Sequence, residues 1–306
     1  RSPRVVAELG FELAAGERLA LVGESGSGKT QSALALLGLI PPPGRIAAGS
    51  IRLRGEEFAG AGQGRWRQVR GKVIAYVPQD PMTALDPLFT VGEQLIETLG
   101  LGSHRARPRL RSEAAELLER VQLPEPRKIL AAYPHELSGG MRQRVMIALG
   151  IAHGPEVLIT DEATTALDVT IQAEILELLD SLCAERRMSL IFITHDLALV
   201  GQICERVLVL YAGRPVEVLD VHRLYAGAAH PYTRALLACT PVLGHPAKSL
   251  QPIPGVPPAV DALPPGCHFA PRCPFAELAC RTEPGALRAL RPGQLVRCRR
   301  AAELMP

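Results

Sequence analysis

The chain has 306 residues, a formal net charge of +3 at pH 7 and 47% hydrophobic residues. That length allows one large domain or two smaller ones with a substantial core, and so small a charge gives no argument for a nucleic-acid partner. No apolar run reaches the ~18 residues that a membrane-spanning helix needs, and no secretory signal opens the chain. We therefore expect a soluble cytosolic protein whose seven cysteines are reduced or bind metal rather than form disulfides.

Short apolar segments alternate with helical patterns along the first 220 residues. The strand-like segments, in chain order, are "RLALV" (18–22), "KVIAYV" (72–77), "EVLIT" (156–160), "MSLIFIT" (188–194) and "RVLVLY" (206–211). The helical patterns cover 31–39, 91–123 and 141–154, and the last carries Met141, Val145, Leu149 and Ala152 on one face. Strands that are apolar on both faces and separated by helices predict an α/β fold with a mainly parallel sheet.

The composition changes after about residue 226. Proline, glycine and cysteine become frequent there, and the helical periodicity nearly vanishes. We therefore predict one domain over residues 1–226 and a small irregular cysteine-rich extension over residues 227–306.

The segment "GESGSGKT" follows the first predicted strand and precedes a helix, which is the context of a phosphate-binding loop. Glycines let backbone N–H groups turn toward phosphate oxygens, and the helix N-terminus adds partial positive charge. The candidate ligands of a nucleoside triphosphate are Gly23, Glu24, Ser25, Gly26, Ser27, Gly28, Lys29 and Thr30. Lys29 would reach the β and γ phosphates and the Thr30 hydroxyl would bind Mg²⁺. The alternative is a flexible Gly/Ser turn that matches by accident.

Two acids follow the strand "VLIT" directly. An acid at the end of a buried parallel strand points into the crevice where such sheets bind ligands, so Asp161 is a candidate for Mg²⁺. Glu162 is then placed to polarise the water that attacks the γ-phosphate. The alternative is a pair of acids that stabilise the start of a helix.

Three further segments, "VPQDP" (77–81), "ELSGGMRQR" (136–144) and "FITHDL" (192–197), stand in the order found in one family. Over residues 5 to about 220 the chain closely resembles the ATP-binding-cassette (ABC) ATPases. The resemblance implies a P-loop NTPase fold of the ABC type with a helical subdomain over about 82–143. It also implies that Gln79 is the Q-loop glutamine, "ALD" (166–168) the D-loop and His195 the switch histidine.

Members of that family work as head-to-tail pairs with two ATP molecules between them. The resemblance implies that Ser138, Gly139 and Gly140 contact the partner's γ-phosphate, and that Thr30, Gln79 and Asp161 hold Mg²⁺. Two departures stand out. Ala163 occupies a position where the family usually has proline, and the family's adenine-stacking aromatic would fall before Arg1, so no such residue is named.

The extension narrows the resemblance to one branch. "HPYTRALL" (230–237) and "PIPGVPP" (252–258), followed by a cysteine-rich tail, resemble the ATPase subunits of dipeptide, oligopeptide and nickel importers. The resemblance implies that the four tail cysteines bind a [4Fe–4S] cluster; by spacing they are Cys267, Cys273, Cys280 and Cys298. Zn²⁺ remains an alternative, although zinc usually draws on C-x₂₋₄-C pairs, whereas the intervals here are five, six and seventeen residues.

We therefore predict an ATP-hydrolysing subunit that powers import of dipeptides or oligopeptides. The resemblance implies three kinds of partner: a second ATPase subunit, expected to be a different chain, two membrane permease subunits and an extracytoplasmic solute-binding protein. It implies no nucleic-acid partner. The chain would sit peripherally on the cytoplasmic face of the membrane. The alternatives are an ATPase for nickel or another small solute and a soluble ABC ATPase without transport.

Overall fold

The computed structural model describes residues 3–102, 104–164, 167–240 and 252–304. The chain divides into two compact units. The first unit combines Arg1–Ala35 with Ile191–Pro306, and the second is Leu36–Leu190.

Strands and helices alternate along the described residues. The strands are β1 (Arg18–Val22), β2 (Arg52–Leu53), β3 (Glu56–Glu57), β4 (Ile74–Val77), β5 (Val157–Asp161), β6 (Ser189–Thr194), β7 (Arg206–Tyr211), β8 (Arg214–Asp220), β9 (Arg288–Arg291) and β10 (Gln294–Val296). The helices are α1 (Lys29–Leu36), α2 (Gln63–Val69), α3 (Pro81–Ala84), α4 (Val91–Gly100), α5 (Arg107–Arg120), α6 (Pro126–Ala131), α7 (Gly139–Ile151), α8 (Val169–Arg186), α9 (Leu197–Ile203), α10 (Leu224–Gly227), α11 (Pro231–Ala238), α12 (Leu278–Thr282) and α13 (Ala301–Leu304).

The first unit is organised around β1 and β7, which pair in parallel, with Val22 opposite Val209. β8 joins β7 in antiparallel fashion, β10 joins β8, and β9 joins β10, so the extension adds two strands to this sheet. β1 and β7 are apolar and almost entirely buried, which suits strands at the centre of a core. β1 then leads directly into the glycine-rich loop at Gly23.

The second unit pairs β4 with β5 in parallel, with Ile74 opposite Val157. Helices α4, α5 and α6 pack on one another, and α7 packs on α3, α4, α5 and β4. α4 begins with a capping box, in which Thr90 and Glu93 satisfy each other's backbone N–H groups. This packing positions the N-terminus of α7, where the "SGG" segment lies.

All five strands expected from the apolar segments are present, and the predicted α/β class is confirmed, with a mixed pattern of parallel and antiparallel pairing. The helix predicted over residues 141–154 is present as α7, but its buried side chains are not confined to the face that carries Met141, Val145, Leu149 and Ala152. Met141 and Leu149 are only half-buried, whereas Gln143 and Arg144 are buried. α7 is surrounded on most sides, so an apolar stripe could not identify what it buries.

Candidate active site

The glycine-rich loop links the end of β1 to the start of α1. Gly26 and Gly28 have φ values of 78° and 102°, in the region that favours glycine. A Cβ atom at Gly28 would lie 2.9 Å from Cγ2 of Val6. The loop therefore turns tightly and ends at a helix N-terminus, which is the local arrangement that an anion requires.

Lys29 is the first residue of α1, and its side chain is buried. Its Nζ atom donates to the carbonyl oxygens of Gly23, at 2.8 Å, and Glu24, at 3.2 Å. These two hydrogen bonds fix the ammonium group against the backbone at the start of the loop. Thr30, the next residue, is exposed.

Two contacts to this loop were not predicted from the sequence. The backbone N–H of Glu24 donates to the hydroxyl oxygen of Tyr232 at 2.8 Å. The Glu24 carboxylate accepts two hydrogen bonds from the Arg272 guanidinium. Both partners lie in the extension, where no loop-binding motif marks them.

Asp161 ends β5, and its side chain is buried. The hydroxyl of Tyr76, on the paired strand β4, donates to Oδ2 of Asp161 at 2.9 Å. Burial raises the pKa of Tyr76, and the Asp161 charge raises it further, so the phenol remains a donor. Tyr76 therefore orients the acid, a role that sequence reasoning missed.

Glu162 and Gln79 lie side by side in the second unit. The Gln79 Nε2 atom donates to Oε2 of Glu162 at 3.1 Å. Glu162 has a φ of 48°, which is unusual for a non-glycine residue and is often seen where a side chain is held for function. The Q-loop amide thus fixes one oxygen of the carboxylate predicted to act as the base.

Ser138 caps α7, because its hydroxyl accepts from the backbone N–H of Met141 at 3.3 Å. Gly139 and Gly140 form the first turn of that helix, so their amides point out of its N-terminus. A Cβ atom at Gly140 would lie 2.8 Å from Cγ2 of Ile171, which leaves no room for a side chain there.

His195 is exposed in the loop after β6, and the neighbouring Asp196 caps α9. In the predicted "ALD" segment, Ala166 lies outside the described residues, and Asp168 caps α8. The predicted nucleotide-site residues are divided between the two units. Residues 23–30 and His195 belong to the first, and Gln79, Ser138, Gly139, Gly140, Asp161 and Glu162 belong to the second.

The four tail cysteines line one cavity in the first unit. Burial raises the pKa of Cys267 and Cys298, and raises that of Cys273 to about 11. All seven cysteines lie within the described residues, and none of them is in a disulfide. Across the described ranges, no group of three or more His, Cys, Asp or Glu side chains is arranged to hold a metal ion.

Backbone amides point at three of the four sulfur atoms. The N–H groups of Phe269 and Ala270 face Cys267, that of Phe275 faces Cys273, and that of Arg300 faces Cys298. The Cys267 N–H donates to the carbonyl oxygen of Cys280 at 2.8 Å, which joins two of the cysteine segments. Amides aimed at sulfur favour the thiolate form, which is the form that binds metal.

None of the helices within the described ranges is both long enough and apolar enough to cross a membrane.

Comparisons with known families match both parts of the chain. The family described as "ABC transporter" matches residues 6–165, and the family described as "Oligopeptide/dipeptide transporter, C-terminal region" matches residues 216–280. The chain is 44% identical over 295 residues to the dipeptide transport ATP-binding protein DppD of Escherichia coli (strain K12), covering 96% of this chain and 90% of that protein.

Two other relatives are similar over most of their length. The oligopeptide transport ATP-binding protein OppD of Escherichia coli (strain K12) is 45% identical over 298 residues, covering 97% of this chain and 88% of that protein. The oligopeptide transport ATP-binding protein AppD of Bacillus subtilis (strain 168) is 44% identical over 289 residues, covering 94% and 88%.

Among solved structures, the dimeric post-hydrolysis state of the ATP-binding cassette MJ0796 bound to ADP and Pi superposes with a TM-score of 0.64 at 26% identity. It covers 71% of this chain and 90% of that one. The expected P-loop fold of the ABC type is thereby confirmed.

Proposed function

The chain belongs to the ABC transporter family and is the ATPase subunit of a peptide importer. On that basis, we propose that residues 23–30 bind the phosphates of ATP. The observation that carries this proposal is Lys29, a buried cation held across a glycine-rich loop at a helix N-terminus. Its ammonium group would exchange the carbonyl oxygens of Gly23 and Glu24 for the β and γ phosphate oxygens.

ATP with Mg²⁺ is the cofactor pair expected of an ABC ATPase. Thr30, Gln79 and Asp161 would hold the ion, which neutralises phosphate charge when it is bound. A hydroxyl, an amide and a carboxylate are oxygen donors of the kind that Mg²⁺ prefers. The hydrogen bond from Tyr76 supports this assignment, because it takes one oxygen of Asp161 and fixes the direction of the other.

Glu162 is proposed as the general base that polarises the attacking water. Its carboxylate is half-buried and accepts from Gln79, which would keep the group oriented toward the water whose proton it takes. His195 is proposed to contact the γ-phosphate. Ser138, Gly139 and Gly140 would complete the site of a second ATPase subunit, since the N-terminus of α7 suits an anion.

Peptide ABC importers work with membrane permeases and a binding protein. For this chain we propose two permease subunits, a second ATPase subunit of a different sequence and an extracytoplasmic solute-binding protein, with the chain on the cytoplasmic face of the membrane. The three relatives above are named for dipeptide or oligopeptide transport, which favours peptides over nickel as the cargo.

We further propose that Cys267, Cys273, Cys280 and Cys298 hold a [4Fe–4S] cluster. Support comes from the shared cavity and from the backbone amides that face three of the sulfurs, since such hydrogen bonds stabilise the thiolates of iron–sulfur sites. Such a cluster would tie four segments of the extension together. Zn²⁺ is the alternative occupant.

Two variants of the same chain test the nucleotide site. Lys29→Ala should weaken ATP binding by at least ~10²-fold, since it removes the charge that faces the phosphates. Glu162→Gln keeps the shape of the side chain, so ATP should still bind while single-turnover hydrolysis by the assembled importer falls by at least ~10²-fold.

Glu177→Gln, at an exposed acid on α8, is the matched control and should change neither quantity. Unchanged ATP affinity in Lys29→Ala would show that residues 23–30 are not the phosphate site. Wild-type hydrolysis by Glu162→Gln would place the base elsewhere.

A further inference from the structure

Glu24, the second residue of the glycine-rich loop, is held by an arginine 248 residues away in sequence. Nη1 of Arg272 donates to Oε2 of Glu24 at 2.7 Å, and Nη2 donates to Oε1 at 3.0 Å. The Arg272 side chain is 5% exposed and that of Glu24 is 26% exposed. Two parallel hydrogen bonds between charged groups, largely shielded from water, form a strong and directional contact.

The guanidinium of Arg272 is itself fixed on several sides. Nε donates to the carbonyl oxygen of Pro254 at 2.9 Å, and Nη1 donates to the hydroxyl oxygen of Tyr211 at 3.2 Å. Nη2 also reaches the carbonyl oxygen of Ile253 at 3.4 Å. Arg272 therefore cannot follow a moving Glu24, and it acts as a fixed point for that residue.

The backbone of Glu24 is attached to the extension as well. Its N–H donates to the hydroxyl of Tyr232, whose ring packs against Tyr211 and Phe269 with centroid distances of 4.6 and 5.3 Å. Burial raises the pKa of Tyr232, so its hydroxyl remains neutral. The backbone of Glu24 is thus tied to the extension by this hydrogen bond.

Glu24 is also tied to the cation of the loop, because its carbonyl oxygen accepts from Nζ of Lys29 at 3.2 Å. A carboxylate on a phosphate-binding loop would repel a triphosphate if it were not neutralised. The ion pair with Arg272 supplies that neutralisation.

We propose that Arg272 is a positioning residue for ATP: it neutralises the Glu24 carboxylate and fixes the loop that holds Lys29, so the extension controls nucleotide affinity within its own chain. The proposal rests on the assignment of residues 23–30 as the phosphate site. Arg272 belongs neither to the phosphate-loop motif "GESGSGKT" nor to the cysteine pattern, so neither motif identifies it. It lies between Cys267 and Cys273 in the sequence, but its side chain contacts the glycine-rich loop and not the cysteines' motif.

The test is a pair of substitutions in the full chain, with equilibrium binding of a fluorescent ATP analogue as the readout. Arg272→Met should weaken binding about tenfold, the effect of one charge-assisted hydrogen bond. Adding Glu24→Gln to that variant should restore affinity to within about threefold of wild type, because the unbalanced charge is gone. A purely structural role for Arg272 predicts no such rescue.

Three further variants distinguish failure of the Arg272 proposal from failure of the phosphate-site assignment. Arg299→Met removes an arginine that pairs with Glu283 at 2.8 Å on a more exposed surface, and it should bind the analogue as wild type does. Arg272→Lys keeps the positive charge but loses the two parallel hydrogen bonds, and it serves as the test if Arg272→Met does not fold. It should bind the analogue about threefold more weakly than wild type does. Lys29→Ala reports on the phosphate site itself.

If Lys29→Ala binds weakly while Arg272→Met and Arg272→Lys bind as wild type does, the role of Arg272 is wrong and the phosphate site stands. A double variant as weak as Arg272→Met alone also overturns the proposal, since the Glu24 charge would not be the cause. If Lys29→Ala binds normally, the phosphate-site assignment itself fails.

Discussion

His230 is buried at the start of α11, where its ring has a structural role. Nδ1 accepts from the backbone N–H of Tyr232 at 3.1 Å and so caps the helix. Burial, with the nearby Arg297 charge acting in the same direction, lowers the pKa of His230 to about 3. The native protein therefore keeps this imidazole neutral, whereas the unfolded chain protonates it near its ordinary pKa of about 6.5.

That difference makes folding stability depend on pH. Below about pH 6.5 the unfolded state binds a proton that the native state does not, so stability falls as pH falls from there toward about 3. His230→Asn keeps a side-chain cap but removes the titration. Its loss of unfolding free energy between pH 7 and pH 5 should be smaller than that of wild type by about 2 kcal/mol.

Urea unfolding at the two pH values measures this effect. His222→Asn, which changes an exposed histidine of the same unit, should retain the wild-type pH dependence. An identical loss in wild type and His230→Asn would mean that His230 is not a source of acid sensitivity.

The candidate residues of the proposed nucleotide site were predictable, because short motifs place Lys29, Asp161 and Glu162 at fixed offsets from strands. The groups that hold these residues were not. Tyr76 lies 85 residues from Asp161, and Arg272 lies 248 residues from Glu24. No local pattern marks a tyrosine or an arginine whose partner is brought to it only by the folded chain.

At the scale of elements, the buried strands were predictable because each is an apolar segment bounded by turns. β8 was not predicted, because it follows β7 after a two-residue turn, Ala212 and Gly213, both with positive φ. β9 and β10 contain arginine and glutamine and are short, so their composition resembles a loop. Their pairing with β8 depends on contacts across the fold rather than on local propensity.

Helices α4 and α6 approach so closely that one glycine is required. A Cβ atom at Gly92 of α4 would lie 2.5 Å from the carbonyl oxygen of Leu130 of α6, and the Val91 N–H donates to the carbonyl oxygen of Ala132 at 2.9 Å. The contact is between backbones, so it cannot be relieved by a change of side-chain rotamer. The spacing of the two helices is therefore set by the absence of a side chain at Gly92.

Gly92→Ala should therefore destabilise the protein by about 1–3 kcal/mol, in spite of the higher helix propensity of alanine. Gly100, in the same helix, is the matched control, since a Cβ atom there would lie 3.6 Å from Cδ1 of Leu110. Gly100→Ala should be neutral or stabilising by up to about 1 kcal/mol. Chemical unfolding of both variants measures the difference, and equal free energies of unfolding would contradict the close approach of α4 and α6.

At the scale of the whole molecule, the extension is integrated with the rest of the first unit. Within the extension, Ala229, Val296 and Ala301 form a small buried cluster against which Cys298 packs. The buried Glu217 of β8 accepts from the backbone N–H groups of Ala229 and His230. These contacts hold the start of α11 and β10 against β8, and they leave the cysteine segments as the part that a metal centre would tie together.

The cysteine segments lead to a prediction about metal content. In protein purified without oxygen, Cys267→Ser, Cys273→Ser, Cys280→Ser and Cys298→Ser should each lose the iron, the sulfide and the brown colour. In the proposed site the four thiolates would share one cluster, so loss of any ligand would expose it. The unfolding free energy should fall by about 3–4 kcal/mol, the size expected when a cross-link that closes a loop of about 30 residues is removed.

Cys239→Ser is the control, because Cys239 is half-buried at the end of α11 and does not line the cavity of the four cysteines. It should keep the full iron content.

Since Cys273 has a pKa of about 11 and must lose its proton to bind iron, reconstitution of the apoprotein should be more complete at pH 8 than at pH 6. Colourless protein with one stoichiometric zinc would replace the cluster with a zinc site. Iron retained in all four serine variants would show that these thiols are not its ligands, and the extension would then be held by its packing and hydrogen bonds alone.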